Sequence, residues 1–254
     1  MTVYELKING LNYRMIPIYD MGLQNFASPE IFIRDNSFFG YTVFISVKDG
    51  SDVCLTGRYF DGEVVLKAPC LDLAFGGAAF WREVRGAPFS PLTIEFENGE
   101  KYECQIVEDT GRVGIIWSKC KQLCTNNIIL SDGVEVRTAL FDVGERVRLV
   151  ECHYPEVFSG EILCSLLNRT GIEGARCCAA YSYGKEAVFL STSSYLFDFS
   201  ASAAIAYALR RRGQLCDGIK IRSGARWVYA SLTENNEIMF SCTAEYSHRA
   251  VLPP

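Results

Sequence analysis

The sequence has few histidines, the residues that titrate near neutral pH and often bind metals. It contains two histidines, His153 and His248, in 254 residues. Cys120 and Cys124 are spaced like a pair of ligands, but no second well-spaced pair of cysteines or histidines accompanies them. Because a structural zinc site needs four such ligands, we predict no metal site and no cofactor. His153 falls in a strand pattern, where a solitary histidine is more often structural than catalytic.

Long apolar runs and blocks of like charge are also missing. No segment reaches the ~18 unbroken apolar residues of a membrane-spanning helix, and the first residues lack the charged start and apolar core of a secretory signal. The net charge is −5, and the longest basic run is Arg210-Arg211-Arg212. We therefore expect a cytoplasmic protein with no membrane and no nucleic-acid partner.

Cysteine, in contrast, is frequent. Eleven cysteines, an odd number, are scattered through apolar, strand-like surroundings. In a chain without a secretory signal, such residues are expected to be reduced and buried as small hydrophobic side chains.

A weak repeat divides the sequence into two halves. With 49% hydrophobic residues, the chain is long enough to build two domains of about 120 residues each. A constant offset of 125 residues relates six pairs of similar residues: Ala78 and Ala203, Ala79 and Ala204, Ile94 and Ile219, Phe96 and Ile221, Gly99 and Gly224, and Tyr102 and Trp227. We predict an internal duplication, with an N-terminal half at 1–125, a C-terminal half at 126–254 and a ligand-binding cleft between them.

The pattern of each half predicts many strands and one helix. Alternating apolar and polar residues indicate strands, separated by turns such as Asn9-Gly10, Asp49-Gly50 and Asp61-Gly62. The helices expected at about 76–86 and 201–212 are apolar on nearly all sides, which is typical of a helix enclosed by other elements. The predicted fold class is α+β: two pseudo-symmetric halves, each a β-barrel-like antiparallel sheet wrapped around a central helix. We place the boundary between the halves within residues 122–132.

The starts of the two helices are candidate sites for an anionic group. A helix N-terminus presents unpaired N–H groups and a partial positive charge, and small residues there admit a ligand close to the backbone. The same small residues can instead serve helix packing. The residues concerned are Gly76, Gly77, Ser200 and Ser202, of which the two serines either donate to a substrate carboxylate or cap the helix.

Two carboxylates near the helix starts are candidates for acid/base catalysis. Asp198 precedes the second helix, where the helix dipole favours the ionised form and suits a base or an orienting group. An aspartate that simply caps the helix is the alternative interpretation. Asp72 lies near the matching turn of the first half and has the same two interpretations.

The order of these elements resembles that of diaminopimelate epimerase and its relatives, the proline racemases and the PhzF-like isomerases. The resemblance covers most of the chain and includes Asn9-Gly-Leu-Asn12, Asp61-Gly62, Ala203-Ala204 and the closing strand 237–246. It implies a cofactor-independent isomerase that acts on a small molecule, with Asn12 binding the substrate. From the residues alone, Asn12 is equally a turn residue.

The chain departs from the epimerase at the positions that carry the chemistry. The resemblance implies one catalytic thiol before each helix, and the repeat places these positions at Leu73 and Asp198, neither of which is cysteine. A two-thiol racemase is therefore disfavoured, because Leu73 cannot exchange a proton. The resemblance implies substrate-binding turns before the second helix, but this chain has a different sequence there, at residues 191–197. This difference argues against diaminopimelate as the substrate. The turn from Asp198 to Ala203 is instead similar to the Asp-preceded Thr-Gly-Ser-Ala turn of PhzF-like proteins.

We therefore expect a cofactor-independent isomerase or cyclase for a small, apolar biosynthetic intermediate of secondary metabolism. The bulky residues at the turns favour an apolar cleft, in which Asp198 acts as the single base. Two alternatives stay open: a non-catalytic descendant that binds a small ligand, and an amino-acid racemase in which Cys70 takes the thiol position. The sequence leaves both a monomer and a homodimer open. The apolar residues expected to contact the substrate are Leu73, Phe75, Phe197 and Phe199.

Overall fold

The structure is a computed structural model, and its description covers parts of the chain. The described residues are 2–8, 11–17, 41–48, 51–56, 59–61, 64–66, 75, 77, 78, 80, 81, 92–96, 101–107, 112–117, 120–129, 133, 135–152, 175–192 and 198–251. The chain divides into two compact units, one of Met1–Ile116 with Ser241–Pro254 and the other of Trp117–Phe240.

The first unit is built mainly from strands. They are β1 (Thr2–Ile8), β2 (Leu11–Pro17), β3 (Tyr41–Lys48), β4 (Ser51–Thr56), β5 (Tyr59–Asp61), β6 (Val64–Leu66), β7 (Leu92–Phe96), β8 (Lys101–Val107) and β9 (Arg112–Trp117). The sheet order is β1-β2-β3-β4-β7-β8-β9, while β5 and β6 form a separate two-stranded sheet.

The core of the first unit contains helical residues. Phe75, Ala78 and Phe80 are helical and buried, in agreement with the helix expected there. The Phe80 ring meets the Tyr4 ring of β1 edge to face, with centroids 4.9 Å apart. Aromatic pairs of this geometry add stability beyond the area that they bury.

The second unit contains the remaining strands and the helix whose full extent is described. These elements are β10 (Lys121–Ile129), β11 (Glu135–Asp142), β12 (Arg146–Cys152), β13 (Arg176–Tyr183), β14 (Glu186–Ser191), α1 (Phe199–Arg211), β15 (Ile219–Ser223), β16 (Arg226–Leu232) and β17 (Ile238–Val251). The sheet order is β10-β11-β12-β13-β14-β15-β16. The later residues of β17 belong to the first unit, where they pair with β1.

Each unit contains parallel as well as antiparallel strand pairs, which corrects the prediction of antiparallel sheets. The parallel pairs are β2–β3 and β4–β7 in the first unit, and β12–β13 and β14–β15 in the second. Each of these pairs is separated in sequence by a long connection, such as residues 18–40 or 153–175. Only long connections allow two successive strands to run in the same direction.

Helix α1 packs against strands of its own unit. Phe199, all of residues 201–206, Ala208 and Leu209 are buried, as the sequence predicts for a helix that is apolar on nearly all sides. It contacts β12 and β13. The helix ends at the C-cap Arg212, followed by Gly213 at φ +70°, where glycine accepts the left-handed conformation at little cost. No helix in the described ranges is long and apolar enough to cross a membrane.

Candidate functional site

Asp198 caps the N-terminus of α1. Its backbone is extended, with φ −96° and ψ 97°, and its Oδ1 accepts a hydrogen bond from the Ala201 N–H at 2.9 Å. The Asp198 carbonyl accepts from the Ser202 N–H at 3.0 Å and from the Ser202 hydroxyl at 3.1 Å. The capping role that the sequence left open is therefore present in the structure.

The second carboxylate oxygen of Asp198 is also engaged. Ser191, the last residue of β14, donates its hydroxyl to Oδ2, and Arg176 Nη1 lies 3.8 Å from Oδ1. Asp198 is only 3% exposed. Its negative charge lies between a guanidinium and the positive end of the helix dipole, which stabilise a buried carboxylate.

Arg176 joins Asp198 to a second, more accessible carboxylate. Its Nη2 lies 3.0 Å from Glu145 Oε2, and the two side chains are 29% and 35% exposed. Ser200, in the first turn of α1, donates its hydroxyl to Glu145 Oε1. We call Glu145, Arg176, Ser191, Asp198 and Ser200 the N-terminal cluster.

The cluster forms because several chain segments meet at one edge of the sheet. Arg176 begins β13, which runs parallel to β12, so both strands start at the same edge. Strand β14 is antiparallel to β13 and therefore ends where β13 begins. Its last residue, Ser191, pairs with Cys178 near the start of β13. Glu145 lies in the turn before β12, in which Gly144 has φ +96° and donates to Asp142 Oδ1 at 3.2 Å.

Two buried cysteines near α1 are poor acid/base groups: Cys178 lies beside the cluster, and Cys152 lies toward the other end of the helix. Burial, followed by the nearby negative charge of Asp198, raises the pKa of the fully buried Cys178 thiol well above its usual value. Burial also raises the pKa of Cys152 to about 11. A thiol that stays protonated near neutral pH is neither a base nor a nucleophile, so the described cysteines next to Asp198 do not replace the missing catalytic thiol.

We predict a sharp division in thiol reactivity. Iodoacetamide should alkylate Cys124 and Cys216, which are exposed, and spare Cys152 and Cys178 at a pH of about 8, because buried thiols with raised pKa values form little thiolate. Mass spectrometry of peptides from the native protein measures this, with urea-unfolded protein as the control. Labelling of Cys178 as fast as Cys124 would contradict the prediction, and substrate-protected labelling of Cys70 would support the racemase alternative.

The residues expected at the second helix start are only partly available to a ligand. Ser200 belongs to the N-terminal cluster, but Ser202 is fully buried and donates its hydroxyl to the Asp198 carbonyl. Phe199 is 7% exposed and packs in the core. The described side of this site is therefore charged and polar, whereas the sequence indicated an apolar one.

The residues expected in the first half are largely beyond the described ranges. Phe75 and Gly77 are helical and buried, and Asn12 is exposed on β2, opposite Lys7 of β1. These residues belong to the first unit. Cys70, Asp72, Leu73, Gly76, Phe197 and His153 lie outside the described residues.

The sequence interpretation missed Glu145, Arg176 and the role of Ser191. Each lies at a strand end, where charged and hydroxyl residues are common, and no local motif marks them. The parallel pairing of β12 with β13 brings Glu145 and Arg176 together. That pairing cannot be read from a 23-residue gap in the sequence.

Two cavities lie at the other end of α1. They measure about 140 and 270 Å³ and share Ser182, Leu209 and Gln214 in their walls. The smaller is also lined by Glu151 and Arg212, which form an ion pair. Since the two opposite charges of that pair lie together, these cavities offer less for binding an ionic substrate than the N-terminal cluster does. In the described part of the chain, no three histidine, cysteine or acidic side chains are close enough to hold a metal ion.

Comparison with solved structures identifies the fold. A phenazine biosynthesis protein of the PhzF family from Bacillus anthracis matches with a TM-score of 0.63 at 16% identity, covering 100% of this chain and 99% of the other. Methylitaconate-delta-isomerase matches with a TM-score of 0.65 at 12% identity, covering 98% of this chain and 95% of the other. No protein-family model and no curated protein matches the sequence.

An amino-acid epimerase also has a similar fold. A hydroxyproline epimerase from Agrobacterium vitis, solved with bound trans-4-hydroxy-L-proline, matches with a TM-score of 0.56 at 11% identity, covering 98% of this chain and 91% of the other. The resemblance to the superfamily that was inferred from the sequence is confirmed at the level of the fold. The residues that the structure describes lie mostly in strands, together with α1 and the helical residues near Phe75.

Proposed function

We propose that the protein is a cofactor-independent isomerase that moves a proton on a small anionic substrate at the N-terminal cluster. The observation that carries the proposal is the Glu145–Arg176 pair at the start of α1, partly exposed and backed by the buried Asp198. A carboxylate beside a cation at a helix N-terminus combines a proton acceptor with two features that attract anions. Solved neighbours named as an isomerase and an epimerase support the same reaction class.

Arg176 and Glu145 have complementary roles in this proposal. A substrate carboxylate takes the place of Glu145 beside Arg176, since a guanidinium binds carboxylates in a planar, two-pronged geometry. The Glu145 carboxylate then accepts the proton as the substrate C–H bond breaks, and returns it to another carbon on the same side of the substrate. Inversion at the same carbon needs a second group that donates a proton to the opposite face. Ser200 holds Glu145 Oε1 in place. No electrons are gained or lost, so the step needs no redox partner.

Asp198 has a positioning role in the same proposal. Ala201 and Ser191 donate to its two carboxylate oxygens, which leaves it little capacity to take a proton from a substrate. It fixes the helix start and attracts Arg176. Cys70 and Asp72 stay predictions for the opposing side of the substrate.

An ancestral duplication fits this site and remains part of the proposal. The successive pairs β1–β2, β2–β3, β3–β4, β4–β7 and β7–β8 alternate between antiparallel and parallel. The pairs from β11 to β16 follow the same alternation. If the halves are related, the helical residues near Phe75 correspond to those of α1.

The proposal predicts hydrogen exchange without any cofactor. The chelator-treated protein is incubated in D₂O with small carboxylates that bear an acidic C–H group, including unsaturated dicarboxylates and cyclic imino acids. One class is expected to incorporate deuterium and to give an isomer, as followed by proton NMR. If a carboxylate binds but none exchanges hydrogen, the ligand-binding alternative replaces the isomerase. The ligand-binding alternative is supported by the role of Asp198 as the N-cap of α1, since a capping carboxylate need not act in catalysis.

A further inference from the structure

Arg148 of β12 is buried on the side of its strand that faces away from α1. The residue is only 3% exposed. Leu149 and Glu151 line a cavity together with residues of α1 such as Leu209, so they face the helix. Because side chains alternate along a strand, Arg148 lies on the opposite face of the sheet.

The side chains next to Arg148 are apolar and buried. Its partners in register on the neighbouring strands are Leu140 of β11 and Cys177 of β13, which are 9% and 3% exposed. A cation in such surroundings has lost most of the water that solvates it in the unfolded chain. The buried apolar cluster on this face consists of Val136, Val150, Cys152, Cys177 and Ala179.

The positive charge of Arg148 has no counterpart among the described residues. Its Nε is buried and has no hydrogen-bond acceptor within the described ranges. The preceding acidic residue, Glu145, forms its ion pair with Arg176, and the following one, Glu151, forms its ion pair with Arg212. An arginine keeps its positive charge in proteins. Because an uncompensated buried charge is strongly destabilising, such a group indicates an ion that completes the site.

We propose that Arg148 binds a small oxyanion at the start of β12, on the face of the sheet opposite α1. The ligand is a phosphate or carboxylate group, since a planar guanidinium binds two oxygens of either in a two-pronged geometry. Arg146 lies on the same face, nearer the end of the strand, and is exposed. Its positive charge attracts anions toward Arg148. Binding neutralises the buried charge, so folding and anion binding are coupled.

The charge of Arg148 selects an anion over a water molecule or an apolar ligand. A buried water satisfies an N–H donor, but it carries no charge that offsets the guanidinium. An apolar ligand offers neither a charge nor an acceptor. The oxyanion site is separate from the N-terminal cluster, because the Arg176 guanidinium of that cluster lies beside Asp198, the N-cap of α1.

The dependence of stability on phosphate tests the proposal. The purified full chain is dialysed against chloride buffer, and urea unfolding is measured while chloride is replaced by phosphate at constant ionic strength. Above the dissociation constant, the ratio of folded to unfolded protein should rise about tenfold for each tenfold increase in phosphate. Acetate distinguishes the two ligand groups: a larger rise with phosphate assigns a phosphate site, and a larger rise with acetate assigns a carboxylate site. Equal stability in all three salts would overturn the proposal.

Two arginine variants separate this site from the general stabilisation of proteins by phosphate. Arg148→Met keeps an unbranched side chain without the charge, and it should lose the specific rise with phosphate or acetate. In chloride it should be at least as stable as the native chain, because an apolar group replaces an unpaired buried charge. Arg137→Met makes the same substitution at an exposed position of β11 and should keep the rise. A folded Arg148→Met variant with the native dependence on these anions would refute the site.

Calorimetric titration of the native chain with phosphate and with acetate needs no variant. A single site per chain is expected for at least one of the two anions. If neither anion binds, Arg148 is not an oxyanion site, whether or not Arg148→Met folds.

Discussion

Glu145→Gln is expected to lower the rate of substrate hydrogen exchange by about 10²–10⁴-fold, the usual contribution of a general acid/base group. Glutamine has the shape of glutamate and keeps an oxygen that accepts from Ser200, but it does not take up a proton. Because Arg176 loses its competing ion pair with Glu145, KM for an anionic substrate should stay constant or fall. The measurement is kcat and KM from deuterium exchange followed by NMR.

A matched substitution separates catalysis from a change in charge. Glu186 also pairs with an arginine, with its Oε2 3.3 Å from Arg222 Nε, and both side chains are more than 40% exposed. Glu186→Gln therefore removes the same charge from an exposed ion pair of the same unit and should leave kcat unchanged. An unchanged kcat in Glu145→Gln would assign proton transfer to another residue.

Asp198→Asn separates the effect of helix capping by this residue from the effect of its negative charge. Asparagine is as good an N-cap as aspartate, so the helix start should be preserved, whereas Asp198→Ala should cost about 1 kcal/mol of stability. The loss of attraction to Arg176, now 3.8 Å away, should raise KM more than it lowers kcat. A collapse of kcat at constant KM would instead support Asp198 as the base that the sequence indicated.

The sequence predicts strands well where turn residues and alternating burial coincide. Residues 92–96 and 219–222, flanked by glycine turns, correspond to β7 and β15, and the helix expected at 201 begins at Phe199, directly after its capping aspartate. These features are local, because the turn or cap lies within a few residues of the element that it bounds.

Strand β10 and the N-terminal cluster depend on interactions that are distant in sequence. Residues 122–132 were expected to hold the boundary between the two halves. Most of them lie in β10, which has no buried face and therefore no alternating apolar pattern in the sequence. The strand is extended through its pairing with β11. In the same way, Glu145 and Arg176 become neighbours only through the parallel register of β12 and β13. Asp198, in contrast, was identifiable, since a cap lies next to its helix.

Phe141→Ala is expected to destabilise the second unit by about 3–5 kcal/mol, the usual cost of removing a buried aromatic ring. Phe141 is 1% exposed on β11, and its ring centroid lies 5.8 Å from that of Tyr207 on α1 at an interplanar angle of 72°. The variant therefore loses both buried area and a specific ring contact between sheet and helix. Urea unfolding should give a lower midpoint with an unchanged slope.

The effect of Phe141→Ala should extend to the N-terminal cluster. Glu145 follows Phe141 by four residues, and it contacts α1 through Ser200; looser packing of β11 against α1 therefore moves Glu145 relative to the helix start. At urea concentrations below the unfolding transition, the rate of substrate hydrogen exchange should fall even though every residue of the cluster is present. Tyr183→Ala, which truncates a ring that is 76% exposed on β13, should change stability by less than about 0.5 kcal/mol and leave the rate unchanged. Equal rates of substrate hydrogen exchange for the two variants would mean that the packing of β11 on α1 does not hold the cluster in place.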